Sequence, residues 1–260
     1  MKKESKIQSI FKIIGWPILF GLGQLLIMLI LFLIVGWMKP ISFTEFELQD
    51  RMKTILFPST LCSFFVFLPI FLKKYKSEKI NRFQLRKNKI LYYVLFGIVT
   101  SFVINIFFLK LERMIPIPAT LHQMEVSFDW YYVGRVFSTA FIGPILEELL
   151  FRGFLYQEAK KWMKPMRAIL FITVIFTLCH VTIYSFLTAI VTSFLVLDAL
   201  EKEKSLTAPI LFHIFLNLTS ILLLPLIVRY QTIILDVLFL ISLVCFVILY
   251  QLHRWRVKEK

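Results

Sequence analysis

Residues 143–156 read GPILEELLFRGFLY and place three charged side chains, Glu147, Glu148 and Arg152, in an otherwise almost wholly apolar run. An ionisable side chain within a membrane span is costly, and it usually faces a cavity or a partner. On a helix, Glu148 and Arg152 form an i,i+4 pair in the favourable order, acid before base. Glu147 points about 100° away from Glu148, so it is predicted to face a different group. The stretch therefore predicts a polar site inside a membrane helix.

The rest of the chain is too apolar for a soluble domain. Hydrophobic residues make up 58% of the 260 residues, and only 18% are charged. The net charge of +14 comes from short basic clusters between apolar runs. This pattern indicates contact with the surface of a lipid bilayer rather than with nucleic acid, which is excluded as a partner.

Eight apolar runs are long enough to cross about 30 Å of hydrocarbon at about 1.5 Å per residue. The sequence therefore predicts an all-α, polytopic membrane bundle of about eight transmembrane helices in one domain, residues 1–260. The predicted spans are 13–37, 55–72, 90–109, 131–156, 168–184, 185–200, 206–228 and 233–250.

Basic residues are concentrated in alternate connecting segments. Segment 73–89 carries eight Lys and Arg residues, whereas segment 110–130 carries two. Positively charged short loops remain on the cytoplasmic side, so the alternation predicts an even number of spans in a cell membrane, with both termini cytoplasmic. Segment 73–89 is also expected to lie on anionic headgroups, although an orientation signal alone explains it more simply.

Three polar side chains, Glu147, His180 and Asn217, lie at one depth on three predicted spans. Each is 13 residues, about 20 Å of helix, from a predicted cytoplasmic charge. His213 lies one turn from Asn217 on the same helix face, so these four side chains are predicted to converge. For Glu148 and Arg152 alone, a buried ion pair that only joins helices stays an equally good interpretation. The polar residues and the cytoplasmic charges that lie 13 residues from them are Glu147 and Lys160, His180 and Arg167, and Asn217 and Lys204.

This set of side chains predicts hydrolysis without a covalent intermediate. A carboxylate and a neutral imidazole can hold and deprotonate a water molecule, directly or through a metal ion. A second imidazole and a carboxamide N–H can stabilise the oxyanion formed at a peptide carbonyl. Glu147, His180 and His213 are also candidate ligands for Zn²⁺, although the sequence lacks the HExxH motif.

The residues resemble the CPBP (CAAX protease and bacteriocin-processing, or Abi) intramembrane metalloproteases, which include the type II CAAX prenyl endopeptidases. That family carries EExxxR, then FxxxH, then HxxxN or HxxxD, on successive helices of an eight-helix membrane bundle. Here the motifs are EELLFR (residues 147–152), FTLCH (176–180) and HIFLN (213–217). Each motif alone is weak, whereas all three in this order in an eight-span chain are a strong signal.

The resemblance implies a role for each motif residue. Glu147 and His180 match the pair that activates water, and His213 and Asn217 match the pair that stabilises the oxyanion. Glu148 and Arg152 match the supporting charges. The implied protein is an intramembrane endopeptidase with a catalytic core at about 131–228. Its implied substrate is a small membrane-associated peptide or protein, and both a zinc-assisted and a metal-free route remain open.

Three biological uses are compatible with the resemblance: cleavage after a prenylated cysteine, peptide maturation, and self-immunity against bacteriocins. A protein of another class is the alternative, namely a non-catalytic membrane scaffold or immunity protein that binds a peptide or partner. A proton-coupled transporter is disfavoured because the sequence shows no inverted repeat.

Overall fold

Eight helices make up the part of the chain described by the computed structural model, which covers residues 6–38, 44–74, 84–114, 130–180, 182–227 and 232–255. These residues contain no strand, so the all-α prediction is confirmed. The helices are α1 (Lys6–Met38), α2 (Glu45–Lys74), α3 (Lys87–Met114), α4 (130–160), α5 (Pro165–Leu178), α6 (Ile183–Glu203), α7 (Thr207–Ile227) and α8 (Thr232–Trp255).

Five of the described helices are long and apolar enough to cross a membrane: α1, α2, α3, α6 and α8. The outer surface of α1 is consistent with contact with lipid, because Leu19, Leu22 and Leu33 are more than half exposed. Helix α5 has 14 residues and is therefore about 21 Å long, less than the thickness of the hydrocarbon layer. Several apolar helices of this kind indicate a multi-pass membrane protein.

The chain forms two compact units whose segments alternate along the sequence. The first unit contains Met1–Lys79 and Phe128–Val181, and therefore holds α1, α2, α4 and α5. The second contains Ile80–Ser127 and Thr182–Lys260, and therefore holds α3, α6, α7 and α8. The prediction of one domain over the whole chain stays a prediction.

Helix α4 continues through Gly143 and Pro144 without a break. It changes to π-helical geometry in Phe137–Ile142 and again in Glu148–Leu155. The Gly143 N–H bonds the Ser138 carbonyl, five residues back, directly before Pro144. Proline has no N–H to donate, and a wider turn accommodates that loss without breaking the helix. Such π-helical turns are frequent at functional sites, and the second one overlaps the EELLFR motif.

The predicted fifth span, 168–184, is wrong at its C-terminal end. Helix α5 ends at Leu178, and α6 begins at Ile183. Thr182 caps α6 by a reciprocal arrangement, because its hydroxyl accepts from the Ser185 N–H and the Ser185 hydroxyl accepts from the Thr182 N–H. This capping box is a start signal within the sequence, and it places Tyr184 in α6.

Candidate active site

Glu148 and Arg152 form a completely buried ion pair in the second π segment of α4. The Arg152 Nη1 and the Glu148 Oε1 are 3.2 Å apart, and both side chains are 0% exposed. The i,i+4 pairing predicted from the sequence is therefore confirmed. No guanidinium nitrogen of Arg152 makes an aligned hydrogen bond with another described residue, so the attraction between the two charges holds this contact.

Phe176 of α5 covers the guanidinium of Arg152. The Arg152 Cζ lies 4.2 Å from the centre of the Phe176 ring, which is a close cation–π contact. Phe151 packs edge-on against the same ring, with the ring centres 4.9 Å apart. Phe176 is 1% exposed, so this aromatic contact fixes α5 against the charged turn of α4. The phenylalanine of FxxxH thus has a physical task that the sequence did not reveal.

The predicted span 168–184 placed His180 within a helix. In the structure, His180 lies just beyond the end of α5. The Cys179 N–H bonds the Phe176 carbonyl at 3.2 Å and the His180 N–H bonds the Thr177 carbonyl at 3.0 Å, which tightens the last turn. The imidazole folds back over this turn, with its ring centre 4.6 Å from that of Phe176. Its depth is therefore set by the end of a short helix.

The tautomer of His180 follows from one hydrogen bond. Its Nδ1 lies 2.8 Å from the Phe176 carbonyl oxygen, and a carbonyl can only accept. Nδ1 therefore carries the proton in the neutral ring, and Nε2 keeps its lone pair. A histidine in this state can accept a hydrogen bond from water or bind a metal ion through Nε2.

Glu147 has a different environment from its neighbour Glu148. It is half-buried, whereas Glu148 is completely buried. A carboxylate oxygen of Glu147 would lie 3.8 Å from a Cβ added at Gly143, so the side chain reaches back along α4 toward that glycine. Its charge also acts on Cys179, the residue before His180. This interaction supports the prediction that Glu147 and His180 lie near each other within the first unit.

His213 and Asn217 lie in the second unit, one turn apart on α7. His213 is 7% exposed and Asn217 is half-buried. The structure confirms that both belong to one helix and therefore to one face. Their convergence with Glu147 and His180, which lie in the other unit, stays a prediction.

Helix α7 is held against α3 by a close backbone approach. A Cβ added at Gly97 of α3 would lie 2.5 Å from the Phe212 carbonyl oxygen and 3.2 Å from the Leu216 nitrogen. One turn of α7 further on, Ser220 and Ser101 of α3 share a hydrogen bond of 2.8 Å. Asn105 donates to the Ser220 hydroxyl at 2.8 Å. These contacts fix the rotation of α7, and hence the direction of the His213 face.

A metal ion would find suitable donors here, but not three of them in one unit. Within the described residues of either unit, no three His, Cys, Asp or Glu side chains are grouped as a metal site requires. The bond from His180 Nδ1 to a backbone carbonyl is the support that metal-binding histidines usually have. Zinc binding by Glu147, His180 and His213 therefore stays a prediction.

The comparisons with known proteins agree with the motifs. Residues 129–219 match the family model described as type II CAAX prenyl endopeptidase Rce1-like. The matched segment contains all three motifs, and the resemblance seen in the sequence is confirmed at the level of the family. No curated protein and no solved structure matches the chain.

Proposed function

We propose that this chain, whose residues 129–219 belong to the CAAX-type protease family, is an intramembrane endopeptidase. It hydrolyses a peptide bond in a small membrane-associated peptide or protein, using water that Glu147 and His180 activate. One observation carries the proposal: His180 Nδ1 donates to the Phe176 carbonyl and Nε2 keeps its lone pair, while the charge of Glu147 acts on Cys179, the residue before His180.

Water activation uses the two groups for different tasks. The Glu147 carboxylate takes the proton from the attacking water, and His180 Nε2 accepts a hydrogen bond that orients it. The proton then passes from Glu147 to the leaving amine. No covalent intermediate with the protein forms, because water and not a side chain attacks the carbonyl. His180 cannot release its Nδ1 proton to the carbonyl that accepts it, so its tautomer is preserved through the reaction.

The remaining motif residues stabilise charge. His213 and Asn217 donate hydrogen bonds to the oxyanion that develops on the peptide carbonyl. Arg152 compensates the charge of Glu148 at 3.2 Å, so the second glutamate does not add an uncompensated negative charge beside the first. If zinc is present, Glu147, His180 and His213 would hold it, and it would supply Lewis acidity to a bound water.

The apolar helices and the distribution of basic residues along the sequence support the proposed location. The chain lies in a cell membrane as a multi-pass protein, with its Lys-rich loops and both termini on the cytoplasmic side. The lipid bilayer is then the solvent for the apolar surfaces of α1 and α8, and peptide substrates are presented from within it or from its surface.

The test compares membrane-associated peptides from cells that carry the unchanged chain, Glu147→Gln or His180→Gln. We expect at least one peptide to accumulate uncut in both variants, since loss of a general base typically lowers the rate by about 100-fold to 10,000-fold. Glu201→Gln, at the C-terminal end of α6, is the matched control and should cut normally. Heat-induced unfolding in detergent checks that each variant is folded.

Two outcomes contradict the proposal. If the peptide profiles of the variants and the unchanged chain are identical, Glu147 and His180 have no catalytic role. If an uncut peptide co-purifies equally with the unchanged chain and with both variants, the protein binds peptide without cutting it. That second result would favour the non-catalytic scaffold or immunity protein.

A further inference from the structure

A cavity of about 390 Å³ lies in the first unit, near the N-terminal end of α1 and the C-terminal ends of α2 and α4. Its volume is within the range of small-molecule sites, roughly 300–1,000 Å³. None of the proposed catalytic residues lines it, so it goes beyond the function proposed above. It is lined by Lys12, Lys73, Lys74, Lys161, Gly153, Phe154, Gln157 and Glu158.

The lining carries an excess of positive charge, with four lysines against one carboxylate. That carboxylate, Glu158, is 6% exposed and is already compensated. Lys161 Nζ lies 2.5 Å from Glu158 Oε1, and the Ser9 hydroxyl donates to Oε2 at 3.4 Å. The excess of lysines over carboxylates in the lining therefore favours an anion in the cavity.

One aromatic side chain, Phe154, lines the cavity. It packs edge-on against Trp16 of α1, with ring centres 5.9 Å apart. Lys74 Nζ lies 5.3 Å from the centre of the Trp16 ring, so this ammonium group is held beside the aromatic pair. A ligand that fits both the lysines and Phe154 has an anionic head joined to an apolar body.

We propose that this cavity binds the phosphate headgroup of an anionic phospholipid of the phosphatidylglycerol type. Lys12, Lys73 and Lys74 contact the phosphate, and the lipid's glycerol and upper acyl segments lie against Phe154 and the side of α1. Basic pockets between helices on the cytoplasmic side of a membrane are a recurrent kind of headgroup site. A zwitterionic lipid such as phosphatidylcholine brings its own ammonium group and is disfavoured by the same lysines.

The experiment counts lipids retained by the full chain. The protein is reconstituted in mixtures of phosphatidylglycerol and phosphatidylcholine, extracted in mild detergent, and analysed by native mass spectrometry. Lys12→Gln, Lys73→Gln and Lys74→Gln are combined in one variant. The control combines Lys87→Gln, Lys164→Gln and Arg167→Gln, which are exposed and outside the cavity and change the net charge equally.

We expect the unchanged chain and the control to retain phosphatidylglycerol in preference to phosphatidylcholine. The cavity variant should lose this preference by about 100-fold, since each basic residue near a membrane surface contributes about fivefold. Equal retention by the two triple variants would overturn the proposal. Displacement of the lipid by glycerol 3-phosphate at the same concentration would also overturn it, because the cavity would then recognise a soluble phosphate.

A folding defect is separated from loss of the site by two measurements. Heat-induced unfolding without added lipid should be similar for both triple variants, because their substitutions are at solvent-accessible lysines and one arginine. Lys12→Arg, Lys73→Arg and Lys74→Arg combined should retain the preference for phosphatidylglycerol, because charge is preserved. Loss of the preference in this arginine variant would contradict the assignment of the three charges to the phosphate.

Discussion

The two parts of the candidate site are held in place by different forces. In the first unit, α4 and α5 are joined through a completely buried ion pair whose guanidinium lies against the Phe176 ring. In the second, α7 lies on α3 through a close approach at Gly97 and through neutral hydrogen bonds of Ser101, Asn105 and Ser220. Charge thus organises one part, and backbone packing organises the other.

The difference matters for the proposed chemistry. In the proposed mechanism, the first unit would supply the base and its electrostatic surroundings, where a change of charge alters both stability and reactivity. The second unit would supply hydrogen bonds whose direction depends on the rotation of α7. We therefore expect substitutions in the first unit to affect the proton transfer step, and substitutions in the second to affect chiefly stability and the alignment of His213 and Asn217.

The largest effect is expected from Arg152→Leu. It leaves the Glu148 carboxylate buried without its partner, which should lower the free energy of unfolding by about 3–5 kcal/mol. Combining it with Glu148→Leu replaces both charges by apolar groups and should recover most of that loss. Heat-induced unfolding in detergent measures both variants.

Cleavage by the double variant then separates the two interpretations of the ion pair. If the pair only joins helices, the double variant cuts peptide normally. If it supports Glu147, the double variant is stable and slow. Equal loss of stability in the single and double variants would contradict the assignment of the effect to an uncompensated charge.

Gly97→Ala should have the next largest effect. Gly97 lies in the second unit, where α3 packs against α7. The added Cβ would meet the backbone of α7 at 2.5 Å, so α7 must shift, at a cost of about 1–3 kcal/mol. Gly21→Ala in α1 is the matched control, because no atom lies within 4 Å of its added Cβ. There the better helix propensity of alanine should leave stability equal or slightly higher. Similar unfolding temperatures for the two variants would show that α3 and α7 are not closely packed.

Phe176→Leu should cost about 1–2 kcal/mol, since it removes the ring that covers Arg152. It should also slow cleavage, because the same ring contacts the His180 imidazole. Phe137→Leu, on an exposed side of α4, is the control and should change neither. Unfolding temperature and peptide cleavage are measured on both variants. If Phe176→Leu cuts peptide at the normal rate, the ring does not position His180.

Ser220→Ala is expected to have the smallest effect. It removes the hydrogen bonds with Ser101 and Asn105, and such bonds between membrane helices contribute about 0.6 kcal/mol on average. Ser242→Ala is the control, since its hydroxyl bonds only the Phe239 carbonyl of its own helix among the described contacts. A small loss of stability with a larger loss of cleavage in Ser220→Ala would show that cleavage depends on the rotation of α7. Identical stability and cleavage rates in Ser220→Ala and Ser242→Ala would exclude a role of the Ser220 hydrogen bonds in cleavage.

The sequence predicted the helices well, because a membrane span is a long apolar run and needs no partner to be recognised. The described helices α1, α3 and α8 contain the predicted spans 13–37, 90–109 and 233–250 completely. The pairing of Glu148 with Arg152 was also predictable, since it depends only on helical spacing. The end of α5 was predicted wrongly because apolar residues continue across the break and the capping signal at Thr182 and Ser185 was missed.

By itself, the sequence determined the all-α class, the order of the three motifs and the acid-before-base pairing in α4, because these depend on local spacing and on hydrophobicity. Only the tertiary structure decided how α5 meets α4 and how α7 lies on α3. The Phe176 ring lies against Arg152 of α4, and the absent side chain at Gly97 leaves room for the backbone of α7. Both contacts join residues that are distant along the chain. The physical reason is that close packing between helices depends on shape at the contact, which no periodicity along one helix contains.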